Sequence, residues 1–173
     1  NGDGYYAVSH PDNPDLFLSD YQAGGIQATN LQTWEQREAS PQVKRMDGYN
    51  ADSNKVRFNW NAPIVKSPHD GKVVYFGAQV LFRSTDFGGT WQAISPDLSR
   101  NDTTRHGWAG GPAMPEATTA EYYNTIYSIA ESPAQKGIIW VGVDDGNLHV
   151  TKDDGATWTR VDRNVPGVGL EAV

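Results

Sequence analysis

Short apolar or alternating runs separated by turn residues recur along the whole chain. YYAVS, DLFLSD and GGIQATN are followed by APIVK, KVVYFGA and QVLFRS, and these by NTIYSIAE, GIIWVGV and GNLHV. Alternation with a period of two and frequent punctuation by Gly, Pro, Asp and Asn predict short β-strands. Each set of three runs ends in a fourth that begins Thr-Trp: TWEQRE, TWQAIS and TWTRV, with the tryptophans at positions 34, 91 and 158. Four short antiparallel strands per repeat is the pattern of a propeller blade, and blades of this kind cover their faces only by stacking on neighbours.

The link between the third and fourth strands carries its own repeat. Ser84-Thr85-Asp86-Phe87-Gly88-Gly89-Thr90-Trp91 and Thr151-Lys152-Asp153-Asp154-Gly155-Ala156-Thr157-Trp158 both read [ST]-x-D-x-G-x-T-W. Ala28-Thr29-Asn30-Leu31-Gln32-Thr33-Trp34 keeps the Thr-Trp end and loses the Asp and Gly. In a tight hairpin the Asp accepts hydrogen bonds from turn N–H groups and the Gly takes a positive φ. The Trp then packs between neighbouring sheets. The expected structural set is therefore Ser84, Asp86, Gly88, Thr90 and Trp91, repeated as Thr151, Asp153, Gly155, Thr157 and Trp158.

On these residues the chain resembles bacterial BNR-repeat (Asp-box) β-propeller proteins related to the sortilin (Vps10) propeller and often labelled glycosyl hydrolases. The resemblance covers nearly the whole chain. It implies an all-β fragment of about three four-stranded antiparallel blades with Asp-box hairpins, belonging to one larger propeller. The organisation expected is a blade over 1–39, a long connection over 40–57, a blade over 58–95, a second long connection over 96–122, a blade over 123–162, and the start of a further connection over 163–173. The sequence begins with Asn1 and ends on GVGLEAV within a continuing pattern, so it reads as an excerpt. A secreted, periplasmic or cell-surface bacterial protein is implied.

Composition narrows the partners. The net charge is −7 with no basic cluster, which argues against nucleic acid and against an anionic membrane surface. No apolar run is long enough to span a bilayer, so membrane insertion is not expected. The absence of Cys removes disulfides, thiolate nucleophiles and thiolate metal sites. No metal and no cofactor are implied.

Strand alternation places the loops. If the first strand of a blade runs one way, its first-to-second and third-to-fourth turns share one end, and the second-to-third turns share the other end with the connections between blades. The connections over 40–57 and 96–122 exceed the roughly 12–15 residues common for structureless loops in compact domains, which marks their end as the functional one. There the chain offers Arg57, Asn59, Trp60, Trp108, Glu121 and Tyr122 as ligand-binding candidates, with Tyr21, Arg105, His106, Asp144 and Asp145 nearby. Asp144-Asp145-Gly146 also reads as a turn, and Trp60 and Trp108 also as caps on the core.

Aromatic, guanidinium and carboxylate groups together suit either a sugar or an extended peptide. A glycoside hydrolase needs a carboxylate pair. Glu121, Asp3 and Asp144 are the catalytic candidates, with Glu116 and Asp145 behind them. Sialidase chemistry is disfavoured because the arginines are too few and the Arg-Ile-Pro element is missing. Two readings follow: a non-catalytic propeller that binds a peptide, protein or glycan at the channel mouth, alongside the remaining blades of its parent protein, or a glycoside hydrolase acting on a polysaccharide.

Overall fold

The computed structural model describes residues 3–41, 56–106 and 122–166. They form three four-stranded antiparallel sheets, each hydrogen-bonded in sequence order. The first blade contains β1 (Ala7–Ser9), β2 (Leu16–Tyr21), β3 (Gly25–Asn30) and β4 (Gln36–Glu38). The second contains β5 (Ile64–Lys66), β6 (Val74–Gly77), β7 (Leu81–Ser84) and β8 (Gln92–Ala93). The third contains β9 (Ile126–Glu131), β10 (Ile139–Val143), β11 (Leu148–Thr151) and β12 (Thr159–Arg160). The only helical elements among the described residues are two 3-10 turns, Thr103–Arg105 and Asp162–Asn164. The chain is thus all-β, a run of β-propeller blades.

The expected two-residue alternation becomes two blade faces, and each face meets a different neighbour. Leu18 and Val8, paired across β2 and β1, pack in a core shared with Ile64, Val74 and Phe76 of the second blade. Tyr75 and Val65, at the same register in the second blade, pack in a second core with Ile129, Ile139 and Val141 of the third. Burying side chains of this size contributes about 1.5–3 kcal/mol each, so the inter-blade joints, not the short ladders, carry most of the stability.

The two complete hairpin motifs close alike. Thr90 donates from its N–H to Asp86 Oδ1 at 2.8 Å and from its hydroxyl to Asp86 Oδ2 at 2.9 Å. Thr157 donates from its N–H to Asp153 Oδ1 at 2.8 Å. Ser84 Oγ accepts the Gly88 N–H and Thr151 Oγ1 accepts that of Gly155. Gly88 and Gly155 have φ of +77° and +93°, in the left-handed region that a Cβ disfavours. The indole N–H groups then cross the joints: Trp91 donates to the Ala39 carbonyl at 2.7 Å and Trp158 to that of Ile94 at 3.0 Å.

Trp34 departs from the pattern. Its hairpin is two residues shorter and is held by Asn30, whose Oδ1 accepts the Gln32 N–H at 2.9 Å. Trp34 itself takes the left-handed position at φ +58° and is 73% exposed, so the third Thr-Trp does not pack between sheets.

The inner strand of the second blade begins at Ile64, several residues beyond the Arg57–Asn61 segment expected to feed straight into it. The ladder runs out at Pro63, which accepts the Gly77 N–H and has no N–H of its own to return.

Candidate functional site

The ends of β1, β5 and β9 share one construction. A residue within one position of the end of each blade's second strand donates its N–H to the residue preceding the first: Asp20 to the Tyr6 carbonyl, Gly77 to that of Pro63, and Asp144 to that of Thr125. Where that first-strand residue has an N–H, a carboxylate returns to receive it. Tyr6 N–H donates to Asp20 Oδ1 at 2.6 Å, and Thr125 N–H to Asp144 Oδ1 at 3.0 Å. Where it is Pro63, with no N–H, the carboxylate is replaced by Gly77. A Cβ there would lie 2.8 Å from Ile126 Cγ2 and 3.0 Å from Pro63 Cγ.

Asp144 also accepts from the Thr125 hydroxyl at 2.8 Å and from Asn59 Nδ2 at 3.1 Å. Burial pushes its carboxyl up, although the Thr125 and Asn59 bonds pull the other way. Burial likewise pushes the Asp20 carboxyl up against the bonds from Tyr6 and Tyr5. Asp20 is a carboxylate at the connection end that sequence reasoning passed over. Aligning the repeats backwards from their Thr-Trp ends would have set it beside Asp144.

Behind Asp144 lies a connected polar layer. Asp145 Oδ2 accepts the Arg100 N–H at 2.6 Å and Asn124 Nδ2 at 3.0 Å, and its Oδ1 accepts the Asn147 N–H at 3.0 Å. The His106 ring lies with Nε2 3.0 Å from Asn124 Oδ1. Arg57 donates to Asp97 Oδ2 at 2.9 Å and to Ser99 Oγ at 3.2 Å, while its own N–H donates to Gln79 Oε1 at 2.8 Å. The Arg57 side chain is only 8% exposed. It ties the entry to the second blade to the exit from it.

The structure therefore divides the expected site residues. Asn59, Asp144 and Thr125 meet directly. Trp60 lies partly exposed beside Asn59 in the chain, and Asp3 is exposed at the start of the first blade. Arg57 and Tyr122 are buried, so neither is a freely presented ligand contact. Tyr123, which was not singled out from the sequence, is partly exposed, with the Arg105 guanidinium 5.1 Å from its ring centroid. Trp108, Glu116 and Glu121 lie outside the described residues.

No family model matches the chain. A xyloglucanase from Paenibacillus sp. is 33% identical over 112 residues, which is 57% of this chain and 10% of that protein. The chain thus spans about a tenth of the length of the curated relative it matches. Among solved structures, the GH74 xyloglucanase of Xanthomonas campestris superposes with a TM-score of 0.53 at 20% identity, over 90% of this chain and 23% of that one. The computationally designed protein Ika4 superposes with a TM-score of 0.50 at 15% identity, over 100% of this chain and 78% of the design. At these identities the structural likenesses speak for the fold.

Proposed function

We propose that this chain is the recognition portion of a secreted bacterial Asp-box propeller that binds a neutral polysaccharide of the xyloglucan kind at the end where the inter-blade connections enter the inner strands. The observation that carries recognition over hydrolysis is the use of the carboxylates. Asp20 and Asp144 stand at one repeated position and close their blades, Asp145 is 1% exposed within a polar layer, and Asp97 holds Arg57. Among the described residues at this end the open rings are Trp60 and Tyr123, beside the exposed Asp3 and Arg105. Such rings stack on pyranose faces without needing a charge on the ligand. A net charge of −7 does not oppose a neutral glycan. The likeness to a xyloglucanase favours a polysaccharide over a peptide.

Affinity electrophoresis in xyloglucan gels tests this reading. Retardation of the parent chain is expected, and Trp60→Ala should weaken it by roughly tenfold, which is about 1.4 kcal/mol. An unretarded parent chain would reject the proposal.

The xyloglucanase likeness also supports a second reading, hydrolysis of the same polymer. Asp144, whose carboxyl burial pushes up, is the described carboxylate with which a general acid role would be tested. Asp3 and Glu121 are the other carboxylates for that role. Release of reducing ends that falls about a hundredfold in Asp144→Asn or Glu121→Gln would favour it.

A further inference from the structure

His149 is an imidazole at a place where the preceding blade has an apolar ring. Counting back two residues from the Ser or Thr that opens each hairpin motif gives Gln27, Phe82 and His149. Phe82 pairs with Phe76 and packs in the joint between the first and second blades. His149 pairs in the same way with Val141, a core residue of the joint between the second and third. Cross-strand partners share a face, so the His149 ring points toward the second blade. Both its nitrogens are shut off from solvent and have no hydrogen-bond partner among the described residues. A neutral imidazole carries one N–H, so one donor is already buried unpaired, and a proton would add a second donor and a full charge.

The charged groups around the ring either repel a proton or are already engaged. Across the strand pair stands Arg160 on β12, which disfavours an imidazolium. The Asp162 carboxylate gives both oxygens to Arg160, at 2.5 and 2.9 Å. Asp145, in the turn before β11, gives both of its oxygens to Arg100, Asn124 and Asn147. The connection leaving the second blade brings Leu98, whose carbonyl lies near the ring outside hydrogen-bonding geometry and accepts Asn147 Nδ2 at 3.0 Å. Arg100 on the same connection donates from Nε to Asn147 Oδ1 at 3.3 Å. Burial holds the pKa of the ring below the ordinary imidazole value, and Arg160 adds to this against the Leu98 carbonyl, Asp162 and Asp145.

We propose that His149 makes this joint acid-sensitive: a proton taken up by the ring parts the third blade from Leu98 and frees the connection that the joint clamps. That connection sets Arg105 over the Tyr123 ring and His106 against Asn124, so its release reaches the exposed side chains of the connection end. An unfolded histidine titrates near about 6.5, so the joint is at full strength above that value and weakens as pH falls below it. The device needs no ligand, and its test is separate from glycan binding.

Exchange of the two bridging indole N–H groups, followed by nuclear magnetic resonance in the whole chain, reads the two joints side by side. Trp158 bridges the joint that holds His149, and Trp91 bridges the other. From pH 8 to pH 5 the ratio of Trp158 to Trp91 exchange is expected to rise several-fold in the parent chain. In His149→Phe, which supplies the ring that Phe82 supplies one blade earlier, the ratio should stay level. Should His149→Phe fail to fold, His149→Gln, with the residue that the first blade has at this position, serves in its place. A level ratio in the parent chain would overturn the proposal. So would a rise that persists once His149 is replaced, which would assign the opening to another group such as His69, whose Nε2 lies 2.8 Å from the Ser132 carbonyl across the same joint.

Discussion

At the residue scale, the hairpin carboxylates act by accepting turn N–H groups, and their ionisation shows it. Thr157, through its hydroxyl and then its N–H, holds the Asp153 carboxyl down at about 2. Asp86 is also lowered: partial burial alone would raise it, but the Thr90 N–H and the Ser84 and Thr90 hydroxyls outweigh burial. Asp86→Ala leaves the Thr90 N–H without its acceptor and should lower stability by about 1 kcal/mol, read as an earlier midpoint in urea. The pH dependence has a definite sign. An unfolded aspartate titrates near about 3.9, so the contribution of Asp153 is fully present above that value and is lost as pH falls toward about 2. The gap in melting temperature between the parent and Asp153→Asn should therefore narrow on going from pH 6 to pH 2.5. A gap that stays constant across that range would show that the Asp153 charge does not hold the turn. Asp20 and Asp144 act in the opposite direction, because burial raises them and their contribution is lost as pH rises through the folded value.

At the element scale, much of the blade was legible in the sequence, for a physical reason. Alternation, turn residues and a repeated Thr-Trp each record a local requirement, and VYFG in β6 can bury both faces only between two other sheets. Long-range compensation was not legible. Pro63 and Gly77 are far from one another along the chain, and neither looks unusual alone. Together they replace the N–H and carboxylate of the other two blades, and the vacated volume admits Ile126. The same reasoning explains Trp34: a hairpin two residues shorter than its counterparts cannot turn its indole into a joint, although its last two residues match theirs. Gly77→Ala tests the compensation. Its φ is not in the left-handed region, so the expected loss of roughly 1–3 kcal/mol arises from overpacking against Ile126 and Pro63. In an Ile126→Ala background, which lacks the Cγ2 that the new methyl meets, part of the cost of Gly77→Ala should be recovered. No recovery would mean that the cost lies in the strand and not across the joint.

At the scale of the whole molecule, strand alternation placed the connections and the hairpin motifs at opposite ends, but it did not say which side chains at the connection end face solvent. That depends on how two stretches distant in sequence meet, and Arg57 is the clearest case. As an arginine at the mouth of a channel it reads as a contact for a ligand. In the fold its guanidinium is spent on Asp97 and Ser99, and its backbone on Gln79, so one residue fastens both connections of the second blade. Asp97 is one-third exposed, which lets water screen part of the pair and keeps the cost of breaking it below that of a fully buried one. Removing the charged donor from its largely buried seat is expected to cost about 1.5–3 kcal/mol. In a chain of this length each kcal/mol corresponds to roughly 2–4 °C, so Arg57→Ala should lower the melting temperature by several degrees. Xyloglucan retardation of the folded fraction should stay close to that of the parent chain, in contrast to Trp60→Ala. An Arg57→Ala variant that melts like the parent but loses retardation would return Arg57 to the ligand and reassign Asp97 as its partner in binding.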